Sequence, residues 1–101
     1  MAVINITSEN FEEIKAGGKT VLIDFYADWC GPCKMMSPVI DKIAEEKPEI
    51  AVGKVNVDDE PNLAESFGVM SIPTLVVIKN GEVAEKSVGV VPKEKILELL
   101  G

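Results

Sequence analysis

Both cysteines of this chain, Cys30 and Cys33, lie in the stretch Trp29-Cys30-Gly31-Pro32-Cys33-Lys34. An apolar run, Val21-Leu22-Ile23-Asp24-Phe25-Tyr26-Ala27, precedes them, and a helical pattern begins at or just before Cys33. That order puts the pair at a strand-to-helix junction, with Cys30 at its mouth and Cys33 in the first helical turn. Side chains at this spacing on a helical turn can meet, so a short-loop disulfide is feasible. Free amides and the dipole at a helix start favour an anion there, and the thiolate is the nucleophilic form of cysteine. The chemistry indicated is thiol–disulfide exchange; two inert, buried thiols are the plain alternative. Cys30, at the exposed end, suits attack on a substrate disulfide to give a mixed disulfide. Cys33, one turn inward, suits resolution of that bond. Gly31 leaves room for a substrate backbone, while Pro32 fixes φ and carries no amide hydrogen.

Asp24 is the second residue whose placement suggests chemistry. It interrupts a run that is otherwise apolar at nearly every position, as expected of a strand buried on both faces. A carboxylate buried there is costly unless it is neutralised or paired. Burial raises its pKa, which suits a proton carrier. A structural ion pair or a half-exposed strand end would be the bland readings. Trp29, beside Cys30, flanks and screens the site unless it is a core aromatic. Lys34 is either a cation that favours a thiolate or a solvated helix charge.

The elements that must hold these residues follow from periodicity. Val3 to Ile6 forms a short strand, and Thr7 or Ser8 caps a helix bearing Phe11 and Ile14, which Gly17-Gly18 ends. Thr20 to Ala27 is the central strand. The helix from about Cys33 to Lys47 buries Met36, Val39, Ile40 and Ile43 and contains Pro38, which should kink it. Ile50 to Val57 is the third strand, with Lys54 among apolar neighbours. Asp58 or Asp59 caps a short helix that starts near Pro61 and closes at Gly68. Leu75 to Ile78 and Glu82 to Val88 flank Asn80-Gly81, a strong two-residue hairpin signal. A final helix after Pro92 buries Ile96, Leu99 and Leu100. The order is βαβαβαββα: crossover connections first, a hairpin last, and a mixed α/β sheet with helices on both faces.

Residues 1–101 make one domain, long enough to bury a core, with a hydrophobic fraction of 47%. A net charge of −7 argues against nucleic acid or an anionic membrane as partner. No apolar run approaches about 18 residues, so no membrane span is expected. Met1-Ala2-Val3 runs straight into a strand-like segment, so no export signal is expected either. Two cysteines and no histidine cannot build a tetrahedral zinc site, and no metal is expected.

The motif at residues 29 to 34 is similar to the active-site motif of thioredoxins. The resemblance extends over essentially the whole chain: Asp24-Phe25-Tyr26-Ala27-Asp28-Trp29, Lys54-Val55-Asn56-Val57-Asp58, Ile72-Pro73-Thr74, Lys79-Asn80-Gly81 and Val88-Gly89. It implies the thioredoxin fold and a dithiol–disulfide oxidoreductase that reduces protein disulfides through Cys30 and Cys33. It further implies regeneration by a thioredoxin reductase, usually an NADPH-dependent flavoprotein. With no export signal the expected location is the cytoplasm, and nothing in the sequence suggests more than a monomer. No cofactor beyond the Cys30–Cys33 disulfide is implied. By the same resemblance, Asp24 lies near Cys33 and helps deprotonate it through water, with Lys54 on the neighbouring strand as its partner. Ile72-Pro73 resembles the family's cis-proline loop, which would present the Ile72 backbone beside Cys30. Gly31, Pro32, Ile72, Pro73, Val88 and Gly89 would then form an apolar docking surface with Trp29 at its flank. Gly89 also fits a β-bulge.

Gly-Pro between the cysteines goes with the reducing end of the superfamily; oxidising and isomerising relatives often carry a histidine there. A disulfide oxidase or isomerase is thus one rival, and a redox-independent binding module is another. The chain departs from the family pattern at Tyr26, where many members have tryptophan, and at Met70-Ser71, where some have Arg-Gly. Val90-Val91-Pro92 also differs from the common ending. These departures bear on partner preference more than on chemistry.

Overall fold

The apolar run before the cysteines becomes the middle of a sheet. In the computed structural model, which describes residues 3–101, strand β2 (Val21–Tyr26) lies between β3 (Ala51–Asn56) and β4 (Thr74–Lys79). It runs parallel to β3 and antiparallel to β4. Strand β1 (Val3–Asn5) extends β3 in parallel, and β5 (Glu82–Val88) extends β4 antiparallel, so the order is β1-β3-β2-β4-β5. Among the described residues, four helices connect or follow the strands: α1 (Phe11–Ala16), α2 (Gly31–Glu46), α3 (Pro61–Ser66) and α4 (Lys93–Leu100). The α/β order is the expected βαβαβαββα. Met1 and Ala2, and with them the reading of the N-terminal start, lie outside the described residues.

Alternation along β2 decides which layer each side chain enters. Val21, Ile23 and Phe25 join Phe11, Ile14, Leu63 and Phe67 on the α1/α3 side. Leu22 points the other way, into a cluster with Met36, Ile40, Ile43, Ile96 and Leu100 from α2 and α4. In β4 the same rule sends Leu75 and Val77 toward α2, and Val76 and Ile78 toward α3. Asp24 has the parity of Leu22, so its carboxylate faces α2, the helix that carries Cys33. That placement follows from the pleat alone.

Several boundaries differ from expectation for local reasons. Helix α2 starts at Gly31, earlier than about Cys33, because Cys30 itself is the N-cap and Pro32 is tolerated in the first turn. Asn10, not Thr7 or Ser8, occupies the N-cap of α1. Its side chain closes the preceding turn instead, accepting from the Thr7 N–H at 2.8 Å and donating to the Asn5 carbonyl at 2.9 Å. Glu60, not Asp58 or Asp59, stands at the N-cap of α3. The Asn56 carboxamide has already taken the Asp58 and Asp59 N–H groups, and this frees the Asp58 carboxylate for another partner. At Asn80-Gly81, φ angles of 55° and 79° make the two-residue turn that suits twisted strands.

The bulge lies elsewhere than at Gly89. Val77 faces Glu85 and Ile78 faces Val83, which leaves Ala84 as the extra residue on β5. Gly89 instead ends β5 at φ +97°, a conformation that glycine adopts without a Cβ penalty, and donates its N–H to the Pro73 carbonyl at 2.8 Å. Edge strand β5 carries Lys86, whose Nζ reaches back to the carbonyls of Phe67 (2.7 Å) and Gly68 (3.2 Å) just beyond α3. Replacing Lys86 with Met should lower stability by about 1 kcal/mol, read as a lower midpoint in urea unfolding with an unchanged slope.

Candidate active site at the β2–α2 junction

Cys30 and Cys33 are joined as a disulfide with Cα atoms 5.3 Å apart. Cys30 has the extended backbone of an N-cap residue, φ −91° and ψ 110°, and its Sγ accepts the Cys33 N–H at 3.2 Å. A sulfur that caps a helix receives both an amide hydrogen and the positive end of the dipole, so its thiolate is favoured when the bond is reduced. The expected contrast in exposure is small. Cys30 is 5% exposed and Cys33 3%, because Ala27, Tyr26, Val57 and Ile72 close around the pair. What solvent meets over the disulfide is Gly31 and Pro32, both exposed.

Beneath the pair, Asp24 on β2 stands in register with Lys54 on β3. Its Oδ1 is the one buried side-chain polar atom among the described residues that lacks a hydrogen-bond partner. Burial pushes the Asp24 carboxyl from 3.8 up to about 6, against the opposing pull of the Lys54 charge. No direct ion pair joins the two; the Lys54 Nζ lies 5.4 Å from the centroid of the Tyr26 ring. Lys54 therefore acts on Asp24 through space. A cavity of about 180 Å³ connects these groups, lined by Asp24, Lys54, Cys33, Ser37, Lys34, Tyr26, Ala27 and Asp28. The carboxylate and the inner cysteine thus share one polar space.

The loop before β4 packs against the cysteine pair. The Ile72–Pro73 peptide bond is cis, and Ile72 packs against the cysteine cluster. Thr74 holds this loop by donating its hydroxyl to the Ser71 carbonyl at 2.6 Å. The Gly89–Pro73 hydrogen bond brings the end of β5 alongside, where Val88 is 61% exposed.

The thioredoxin family model matches residues 2–101 of this chain. This chain belongs to the thioredoxin family. It is 48% identical over 102 residues to a thioredoxin from Staphylococcus haemolyticus, covering 99% of this chain and 96% of that protein. It is 45% identical over 95 residues to a thioredoxin from Chlamydia caviae, covering 94% and 92% respectively. A solved structure, that of a mutant thioredoxin from Halobacterium salinarum, superposes with a TM-score of 0.90 at 37% identity, over 97% of this chain and 86% of that one. The fold is the thioredoxin fold, and the chain is a dithiol–disulfide oxidoreductase built around a close-spaced cysteine pair. Thioredoxins work with that disulfide and need no cofactor.

The rest of the site was less visible in the sequence. Trp29 is no core aromatic: it is 71% exposed, and its indole N–H donates to Asp58 Oδ2 at 2.8 Å. Asp58, expected as a helix cap, is thereby the tether of the aromatic next to Cys30. Met70, 97% exposed, lies with Trp29, Val57, Val69, Ser71 and Ile72 along a groove of about 440 Å³. Its only sequence signal is that it departs from the family pattern beside Ile72-Pro73. Ser37 carries no motif at all; its place in the Asp24 cavity follows from helix periodicity one turn after Cys33. Among the described residues, no group of His, Cys, Asp and Glu side chains is placed to hold a metal, and no helix is long and apolar enough to cross a membrane.

Proposed function

We propose that this thioredoxin-family chain is a single-domain, monomeric reductant of protein disulfides in the cytoplasm, recharged by a thioredoxin reductase that draws on NADPH through a flavin. The observation that carries the reading is the Cys30 sulfur at the N-cap of α2, hydrogen-bonded by Cys33, with Asp24 and Cys33 lining one cavity. In the reduced chain, the Cys30 thiolate attacks one sulfur of a substrate disulfide. A bond forms between Cys30 and that sulfur, and the other substrate sulfur leaves as a thiolate. Cys33 then gives its proton toward Asp24, which the cavity allows to happen through water, and its thiolate attacks Cys30 Sγ. The second substrate thiolate leaves, two electrons have passed to the substrate, and Cys30–Cys33 is oxidised.

Lys54 moderates the cost of charge on Asp24 without neutralising it, which keeps the carboxylate able to accept a proton. Trp29, Gly31, Pro32, Ile72, Pro73, Val88 and Gly89 surround the disulfide and form the docking surface. Ile72 offers its backbone to an extended substrate segment, and Gly31 lets that segment approach closely. The net charge of −7 argues against nucleic acid as the main partner.

Equilibration of the pair with a defined glutathione buffer tests the direction of electron flow. The expected potential lies below the cytosolic glutathione poise. A potential well above that poise would make the chain a disulfide donor and reverse the proposed direction.

A further inference from the structure

We propose that Ser37 is a positioning residue for the resolving step, its hydroxyl holding the water that carries the Cys33 proton to Asp24. This rests on the role of Asp24 given above and adds the group that makes the transfer directional. The cavity of about 180 Å³ is well above the roughly 10–15 Å³ needed to admit one water. Asp24 Oδ1 reaches its wall buried and without a protein partner. A water that accepts from the Cys33 thiol and donates one hydrogen to Asp24 still has a second hydrogen to place. The two lysines that line the cavity, Lys54 from β3 and Lys34 from α2, carry ammonium groups that only donate and cannot take it.

A serine hydroxyl can accept that hydrogen and can also donate. Ser37 follows Cys33 by one helical turn, so both side chains fall on the same face of α2 and line the same cavity. Pro38, next in sequence, has no N–H, so the Lys34 carbonyl one turn back lacks its usual helical donor. The other titratable groups around the space, Tyr26 and Asp28, come from β2 and the turn after it, not from the helix that carries the thiol. Ser37 is the side-chain acceptor on the helix that carries Cys33.

Stopped-flow reaction of the reduced full-length chain with the aromatic disulfide dithiobis(nitrobenzoate) separates the steps. One coloured thiolate is released when Cys30 captures the reagent, and a second when Cys33 resolves the adduct. Ser37→Ala is expected to leave the first release unchanged and slow the second about fivefold, the effect of one lost positioning hydrogen bond. Ser37→Thr should restore it. The second release should also lose the part of its pH dependence that Asp24→Asn removes, and adding Ser37→Ala to Asp24→Asn should slow it no further. A normal second release in Ser37→Ala, with Asp24→Asn slowed, overturns the role of Ser37 alone. Independent, multiplying effects in the double variant do the same. A normal second release in Asp24→Asn removes the role of Asp24 itself and the Ser37 proposal with it. Alanine is the better helix former at this exposed position, so the variant should fold.

Discussion

Cys33→Ser should turn the chain into a trap, with turnover of a protein disulfide falling by about a thousandfold or more because hydroxyl oxygen cannot resolve a mixed disulfide at neutral pH. Cys30 would still attack, since its sulfur keeps the N-cap position and the amide of residue 33 still points at it. The product is a covalent adduct through Cys30, visible as a mass increase equal to the captured partner and reversed by excess dithiol. Cys30→Ser should behave differently: no capture and no turnover, although the fold persists. The asymmetry is the point of the test. If adducts formed through Cys33 in the Cys30→Ser chain as readily as through Cys30 in the other, the assignment of nucleophile and resolver would fail. The near-equal burial of the two sulfurs, 5% and 3%, makes this a real question. What distinguishes them is less exposure than position: one caps the helix, and the other faces the cavity of Asp24.

Asp24→Asn should make the chain more stable and less active at once. In the folded disulfide form the carboxyl titrates at about 6, against 3.8 without the fold. Between those values the native state holds a proton that the unfolded chain has lost. Stability therefore falls as pH rises from about 4 to about 6, and above that the full penalty of a buried charge is present, on the order of 3 kcal/mol. Asparagine removes the ionisation but leaves a buried amide with its own smaller cost, so a gain of about 1–3 kcal/mol at pH 7 is expected. Below about pH 4 the two chains should converge. Urea unfolding across this range checks both magnitude and sign, and parallel curves for the two chains would mean that Asp24 is not the group responsible. Resolution should meanwhile slow by roughly ten- to a hundredfold at neutral pH, where the wild-type carboxylate is ready to accept a proton. A residue that destabilises the fold and serves the chemistry is the usual trade at an active site.

Much of this was legible in the chain itself. The cysteine spacing, the apolar strand before it and the amphipathic helix after it are local patterns, and each became the element that its periodicity demanded. Asn80-Gly81 made the hairpin because few other residue pairs take positive φ twice in succession. Asp24 stood out because a carboxylate in a doubly buried strand conflicts with every neighbour. The caps were harder to read. Thr7, Ser8, Asn10, Asp58 and Asp59 are all competent cap residues, and backbone N–H groups donating to the Asn10 and Asn56 side chains chose among them. Likewise, Gly89 fitted a bulge in sequence, and strand pairing placed the bulge at Ala84 instead.

The identity of the reacting groups, their order along the chain and the helix start that activates them were written in sequence, since all lie within a few residues of one another. What required the folded chain was everything that depends on distant segments meeting. Lys54 comes beside Asp24 only because β3 inserts between β1 and β2. Asp58 reaches Trp29 across 29 residues, and Ile72 packs against Cys30 from the loop before β4. Local spacing sets which faces a residue can take; the register of nonlocal strands sets what it meets there.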